Sequence, residues 1–386
     1  MTAVIRRSGP STEPDAIEST GLDEAPEVTV AERATAPDVI DLDLLAQELD
    51  AIRDQVLDSL GQRDADYLRG VLRLQRSLEL GGRAALWVGV FPPAWLAGTA
   101  MLSLSKILEN MEIGHNVMHA QWDWLRDDRI HSTTWEWDNV CPSRQWRHTH
   151  NHVHHQWTNV SGKDRDIGYG VLRIDESQQW HPRHLAQPLY FVLLAALFEY
   201  GVSLHDLESD FADGERPTVS EMRPKLAETL AKVRDQALKD YVGFPLLSLP
   251  FGLPGVIAAA TGAAAANVVR NLWSFTVIFC GHFPDDVTVF TQADVEGESR
   301  GGWYRRQILG SANFRGGPLM HLMAGNLDHQ IEHHLFPDLP SNRYAEIAPQ
   351  VREVCERHGL AYNTGSLAGQ FATVVRKVLR FSLPFT

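Results

Sequence analysis

Cysteine is scarce in this 386-residue sequence, and the three that occur are far apart. Cys141, Cys280 and Cys355 form no CxxC pair, so neither a disulfide framework nor a zinc ribbon is expected. The sequence also lacks a Gly-x-Gly-x-x-Gly loop, which excludes the common way of binding NADPH directly. These absences leave histidine as the residue type that stands out.

Positive charge is also low, with 35 Lys and Arg against 49 Asp and Glu and a net charge of -14, which argues against a nucleic-acid partner. The first fifty residues contain three arginines and twelve acids. Because this stretch is rich in Pro, Ser and Thr, residues 1–38 are predicted to be a disordered acidic tail and residues 39–386 a membrane domain. The tail lacks the apolar core of a signal peptide, so the chain is expected to begin in the cytoplasm.

Three apolar runs predict a membrane protein, although the mean hydropathy is only -0.21. Ala84–Leu104 carries no charge and is as long as the roughly 20 residues that cross a bilayer. A buried helix of a soluble protein is the alternative for this run. Tyr241–Gly281 contains one charge, Arg270, and is long enough for two spans. Pro188–Leu204 is short for a span and is predicted to lie in the membrane interface.

The position of the histidines constrains the topology. If the groups at 115–155 and 329–334 share one site, an even number of crossings separates them, and two spans in Tyr241–Gly281 satisfy this condition. Four spans in all require the Ala84–Leu104 region, extended to Ile113, to fold as a bent hairpin. The expected fold is therefore all-α: a polytopic bundle of about four spans with a cytoplasmic helical cap that carries a metal site. Amphipathic patterns predict cap helices within Val39–Arg76 and Tyr344–His358.

Seventeen histidines are present, and thirteen of them lie at 115–155 or 282–334. His115 and His119 are four residues apart, which places both on one face of a helix at a metal-chelating spacing. This HxxxH pair lacks the glutamate of a zinc-protease HExxH motif, so a zinc protease is disfavoured.

A second group has five histidines between positions 148 and 155. On a regular helix, His148, His152 and His155 lie within about 60° of one another, as ligands of one metal would. His150 and His154 also share a face, and His155 turns about 100° away, which suits two neighbouring metals. Regular helical geometry leaves both sets open.

The third group is the stretch Gln330–Pro337, which contains the doublet His333-His334. Adjacent side chains on a helix diverge by about 100°, so the doublet is suited to two metal ions side by side rather than to one. Four polar residues precede it: His321, Asn326, Asp328 and His329. His282 follows the last apolar run and is a further candidate ligand.

So many imidazoles exceed the four ligands of a structural zinc site, which usually include cysteine. Soluble di-iron bundles use glutamate ligands, and these are not part of the pattern. Imidazole suits iron, zinc, copper and nickel. An all-histidine iron pair next to apolar spans fits best.

The three groups resemble the histidine boxes of the membrane fatty acid desaturases: HxxxH at His115, HNHVHHQWTN at His150 and QIEHHLFP at Gln330. The resemblance covers about Tyr67 to His358, and the third box is similar to that of the branch with actinobacterial acyl-CoA and acyl-lipid desaturases. It implies a multi-pass protein of the cell membrane whose two Fe ions face the cytoplasm. With O2 and two electrons, such an enzyme introduces a cis double bond into an acyl chain.

The resemblance also implies which residues bind iron, and it implies no catalytic residue beyond the metal centre. The implied ligands are His115, His119, His150, His154, His155, His282, His333 and His334. Gln330 stands where other branches have a histidine, and it is expected to bond a metal-bound water. Gln330, Asn326 and His329 are the expected residues around the ligands.

The predicted function is that of a fatty acyl desaturase, with C16–C18 acyl-CoA or acyl lipid as substrate and the double bond at position nine. Some relatives carry a fused haem domain marked by an HPGG motif, which this sequence lacks. Electrons are therefore expected from a separate ferredoxin or an NADPH-dependent flavin and iron–sulfur oxidoreductase. A hydroxylase on the same scaffold is the alternative. A metal transporter is disfavoured because the histidines flank the apolar runs instead of lying inside them.

Overall fold

Helices make up most of the chain in a computed structural model, which describes residues 40–207 and 218–384. The tail predicted at residues 1–38 lies outside these residues. The first helices are α1 Leu42–Asp58, α2 Gln62–Trp87, α3 Pro92–Leu108, α4 Asn116–Met118, α5 Ser143–Arg147, α6 His155–Trp157, α7 Gln187–Ala196 and α8 Phe198–Asp206. Two π-helical segments, Glu109–His115 and His148–His154, lead into α4 and α6.

The later helices include one long element, α11. They are α9 Val219–Ala237, α10 Phe244–Leu246, α11 Gly252–His282, α12 Arg300–Leu309, α13 Pro318–Ala324, α14 Gln330–Leu335, α15 Tyr344–Arg357 and α16 Leu367–Phe381. A two-stranded parallel sheet pairs β1 Asn313–Arg315 with β2 Thr364–Ser366. The all-α expectation therefore holds apart from this short pair.

The first apolar run lies in a bent hairpin: Ala84–Leu104 covers the end of α2, the turn and most of α3. Helices α2 and α3 pack side by side, and Val88–Phe91 makes the turn between them. Pro92 and Pro93 begin α3, where the missing N–H group of proline costs no helical hydrogen bond. The first arm is longer than the apolar run predicted, because α2 begins at Gln62, far into the polar sequence.

Glycines allow the two arms of this hairpin to approach closely. A Cβ atom at Gly82 would lie 2.9 Å from the backbone nitrogen of Leu102 and 3.1 Å from the carbonyl oxygen of Gly98. Gly82→Ala should therefore lower the free energy of unfolding by about 1–3 kcal/mol through overpacking. Gly70→Ala in the same helix is the control, since a Cβ there meets nothing within 4 Å. We expect the control to gain about 0.5–1 kcal/mol from helix propensity.

Thermal unfolding of both variants in detergent, followed by circular dichroism, checks this prediction. The midpoint should shift down for Gly82→Ala and up for Gly70→Ala. Equal shifts in both variants would contradict a close contact at Gly82.

The long apolar run near residue 250 differs from its prediction. Within the described ranges, Leu249–His282 is long and apolar enough to cross a membrane by itself. The expectation of two spans inside Tyr241–Gly281 is therefore wrong, because the 31 residues from Gly252 form a single helix. Pro182–Ala196 and Phe198–Asp206 pass the same test only as a pair, bent by 99°. The total of about four spans, and the interfacial position of Pro188–Leu204, stay predictions.

Buried charges connect the hairpin to the segment before α11. Arg83 of α2 donates to Asp240 at 2.9 Å, and Lys106 of α3 contacts both Asp240 and Asp138 at 2.8 Å. The side chains of Arg83, Lys106 and Asp240 are each at most 6 % exposed. Losing one partner would leave an uncompensated buried charge. The cluster therefore stabilises the packing of α2 and α3 against the segment before α11.

The predicted cap helices share a hydrophobic core with α14, the helix that carries the third histidine group. Leu45 and Leu49 of α1 are fully buried against α12, α14 and α15, whereas Leu44 is exposed. The Asn313 side chain of β1 fixes α14, because its oxygen accepts from the Ile331 N–H at 2.9 Å and its nitrogen donates to Glu332 at 2.9 Å. The cap therefore determines where His333 and His334 point.

Candidate metal centre

π-helical segments hold His115 of the first histidine group and residues 148–154 of the second, instead of regular α-helix. The i→i+5 hydrogen bonds of a π-helix widen the turn, so residues five apart face the same way. His150 and His155 accordingly bring their Nε2 atoms within 3.3 Å, and the ring of His154 stacks on that of His150. His148 and His152 are exposed on the opposite side. Of the two sets that the sequence left open, the structure brings together His150, His154 and His155.

One group of four buried histidines draws on all three sequence groups. His115, His119, His150 and His333 each place a ring nitrogen within 4.8 Å of the others. Their ring centroids are 4.7–5.3 Å apart for the pairs that His115 and His119 make. Four neutral nitrogens at this spacing could hold one metal ion.

A second group lies beside the first. His154, His282 and His334 also place ring nitrogens within 4.8 Å of one another, and all three side chains are buried. His155 lies between the groups: its ring stacks on His334 with centroids 4.4 Å apart and approaches His119 at 4.7 Å. The neighbours His333 and His334 point into different groups, so the doublet has the geometry expected for two adjacent metals.

The ring nitrogens show which atoms would face a metal. Nδ1 of His333 lies 3.2 Å from the Tyr344 hydroxyl, Nδ1 of His334 lies 3.0 Å from Gln307 Oε1, and Nδ1 of His154 lies 3.1 Å from Asp164. The Nε2 atoms of the same three rings are buried and have no hydrogen-bond partner in the part of the chain described. A metal-binding histidine typically uses its second nitrogen in this way, so the residues fit a metal centre.

The electrostatics of the centre favour a bound cation. Burial lowers the pKa of His119, His150 and His155 well below its usual value, which keeps these rings neutral, the form that binds metals. Burial acts in the same direction on His154, but the carboxylates of Asp164 and Asp166 outweigh it and raise the pKa of His154 to about 9. An environment that attracts a proton there also attracts a metal ion.

The two aspartates are functional candidates that the sequence analysis missed. Asp164 lies 3.1 Å from His154 and also accepts the backbone N–H of Asn159 at 2.7 Å. Asp166 accepts from His205 Nε2 at 2.9 Å and lies 3.6 Å from His154. The sequence feature that could have identified them is the acidic pair just after the second histidine group, in Lys163-Asp164-Arg165-Asp166.

Asp164→Asn should weaken metal binding about 10–100-fold, as is typical for residues that orient a metal ligand. The amide removes the charge behind His154 and offers an N–H where the ring needs an acceptor. Metal titration of the purified protein, followed by metal analysis, measures the effect. Glu176→Gln is the control, because Glu176 is an exposed carboxylate that contacts Arg380 on the surface. Equal metal affinity in both variants would contradict the role given to Asp164.

The three residues expected around the ligands lie in different places. Gln330 is at the centre, where its Nε2 atom lies 3.1 Å from His282 Nε2. Gly281 makes room for it, since a Cβ at Gly281 would approach Gln330 to 2.9 Å. Asn326 instead donates to Glu112 at 3.0 Å, and its nearest hydrogen bonds are not with the eight histidines. His329 lies in a separate group with Asp328.

A cavity adjoins the histidines on the side of α11. His115, His150 and His282 border it, and Trp146 stacks on His150 with ring centroids 4.3 Å apart. Its other apolar lining residues are Met111, Trp137, Tyr169, Phe198, Val202 and Ile278. The cavity follows α11 from His282 to Arg270, which spans about 18 Å at the helical rise per residue. Polar and charged side chains also line the cavity, among them Asp166, Glu199, Asp206 and Arg270, so its walls are mixed rather than uniformly apolar.

A helical protein with two adjacent groups of buried histidines beside an internal cavity has the features of a metalloenzyme. Residues 87–366 match the profile of the fatty acid desaturase family. The chain belongs to this family.

Named relatives agree with this assignment. The NADPH-dependent stearoyl-CoA 9-desaturase of Mycobacterium tuberculosis is 49 % identical over 348 residues, which cover 89 % of this chain and 81 % of that protein. The sn-1 linoleoyl-lipid 6-desaturase of Synechocystis is 25 % identical over 72 % of this chain and 77 % of its own length. The Delta(5) fatty acid desaturase A of Dictyostelium discoideum is 24 % identical over 68 % and 57 %.

Proposed function

We propose that this desaturase introduces a cis double bond between carbons 9 and 10 of a saturated C16–C18 acyl-CoA. The observation that carries the proposal is the joining of seven buried histidines into two adjacent groups, with an eighth, His155, between them, next to an internal cavity. The 49 % identity to a protein named as a stearoyl-CoA 9-desaturase supports acyl-CoA as the substrate and position nine as the site.

The proposed ligands form two sets around His155. His115, His119, His150 and His333 would hold one iron, and His154, His282 and His334 would hold the other, with His155 between them. With O2 and two electrons, a bound iron pair supplies the oxidant that removes two hydrogens from the chain. Imidazole-only ligation suits iron, and the hydrogen bonds at Nδ1 fix the ring orientations before any metal binds.

The protein itself positions the substrate. The apolar walls of the cavity would bind the methyl-terminal part of the acyl chain, with Trp137 and Trp146 beside the histidines. Burial of these walls excludes water, so the chain replaces solvent next to the centre. The distance between the histidines and the far end of the cavity near Arg270 would then determine which carbons are presented.

The proposed location is the cell membrane, with the centre facing the cytoplasm. Exposed apolar side chains support membrane contact: Leu189, Val192 and Leu193 on α7, and Leu253 and Ile257 on α11, are each at least 48 % exposed. In water, such a patch would be costly for a monomer. The multi-pass arrangement of about four spans is part of this proposal.

The electron donor is proposed to be a separate protein, either a ferredoxin or an NADPH-dependent flavin and iron–sulfur oxidoreductase. The relative from Mycobacterium tuberculosis is named as NADPH-dependent, and this sequence has no dinucleotide-binding motif of its own. A reductase that passes electrons from NADPH would reconcile the two observations.

The test is a turnover assay with the iron-loaded protein, stearoyl-CoA, O2 and a reducing partner, with products identified by mass spectrometry. An octadecenoyl product with a cis bond at carbon 9 is expected. A hydroxystearoyl product would instead favour the hydroxylase on the same scaffold. Metal movement across vesicles without oxidised product would favour a transporter.

A further inference from the structure

A third group of metal-binding side chains lies apart from the eight histidines. It consists of His321, Asp328 and His329, which place one ligand atom each within 4.8 Å of the others. His321 lies on α13, and the other two lie in the 3-10 turn Leu327–His329 that directly precedes α14. None of these three residues is among the proposed iron ligands.

The carboxylate of Asp328 presents one oxygen to each ring. Its Oδ2 atom lies 2.5 Å from His321 Nδ1, and its Oδ1 atom lies 3.5 Å from His329 Nδ1. The second distance is at the limit of hydrogen bonding, and within residues 40–207 and 218–384 neither Oδ1 nor that Nδ1 has a hydrogen-bond partner.

This arrangement is unusual for a buried acid. The Asp328 side chain is fully buried, whereas the histidine side chains are 23 % and 16 % exposed. A buried carboxylate oxygen without a donor is costly, and a cation between the three side chains would remove that cost. A positive ion next to Asp328 would therefore be stabilised by the unpaired Oδ1 atom.

We infer that His321, Asp328 and His329 bind one Zn2+ ion. Two imidazoles and one carboxylate form an established zinc ligand set, in which the fourth position stays open. Zinc bond lengths place tetrahedral ligand atoms about 3.4 Å apart, close to the distance between Asp328 and His329. The shorter contact between His321 and Asp328 opens when the ion enters.

The surroundings allow an ion to reach the group. All three residues line an open groove, together with Arg315 and Tyr362. The fourth ligand position therefore faces solvent, where water can complete the shell. The turn Leu327–His329 leads directly into α14, which carries His333 and His334. Zinc bound here would therefore link α13 to the start of α14.

The test compares zinc binding by the full-length wild type and by His329→Ala, after both have been loaded with iron. His131→Ala is the matched control, since His131 is a partly exposed histidine with a neighbouring carboxylate at 3.6 Å. We expect wild type and control to bind one more zinc per chain than His329→Ala. The affinity lost should exceed the 10–100-fold typical of an outer-shell residue.

A second measurement covers the case of a poorly folded variant. Added Zn2+ should raise the unfolding midpoint of the wild type and of His131→Ala, but not that of His329→Ala or His321→Ala. Equal zinc content in all proteins, or no zinc-dependent shift in the wild type, would overturn the inference. The iron content of each protein is measured in parallel, so a failure of the two-iron centre is distinguished from a failure of the zinc site.

Discussion

Replacing His333 with alanine is expected to abolish desaturation and to reduce bound iron from two ions per chain to about one. His333 is fully buried, its Nε2 atom has no partner among the described residues, and its Nδ1 atom is already bonded to Tyr344. Removing the ring takes one of four nitrogens from the first group and leaves a cavity among the remaining histidines. The loss in turnover should exceed about 100-fold, since even outer-shell substitutions cost 10–100-fold.

His334→Ala tests the same idea on the other group. His334 lies with His154 and His282, so its loss should remove the second iron and leave the first. Iron analysis and turnover with stearoyl-CoA measure both variants, and His131→Ala serves as the surface control. Turnover retained with two irons in either variant would contradict the ligand assignment.

Replacing His154 with alanine should inactivate the enzyme, whereas His152→Ala should retain most activity. The two residues lie two positions apart in the same π-helical segment, but His154 is 1 % exposed at the centre and His152 is exposed. His154→Ala also leaves the Asp164 carboxylate buried without its imidazole partner, which should lower stability as well as metal binding.

Turnover and iron content of the two variants, with folding checked by circular dichroism, decide this comparison. The reverse order of effects would favour the regular-helix set of His148, His152 and His155. It would also mean that the π-helical register of His148–His154 is not the one in solution.

The sequence was sufficient to predict those features of the fold that follow from the spacing of apolar residues. The amphipathic pattern of Val39–Arg76 predicted a cap helix, and Leu45, Leu49, Ile52 and Val56 of α1 are its buried residues. Leu44 is also apolar and lies next to Leu45, yet its side chain is exposed. Periodicity identifies a face, but its edges depend on which helices pack against it.

Features that depend on tertiary contacts could not be predicted. The π-helical turns that select His150, His154 and His155 have no local sequence signal, and a 3.6-residue period gave the competing set equal standing. The partners of the ligands, such as Tyr344 and Gln307, come from distant helices. The separation of His321 and His329 from the centre follows from the turn at Gly325 and Asn326, both of which have positive φ.

The most direct measurement of the central claim is a single turnover without any electron donor. The protein is loaded with two irons per chain, reduced chemically, freed of reductant, and exposed to stearoyl-CoA and O2. Two reduced irons carry the two electrons that, with two from the acyl chain, reduce O2 to water. The account predicts one cis-9-octadecenoyl product for every two irons. A hydroxylated product, or a yield of one product per iron, would contradict it.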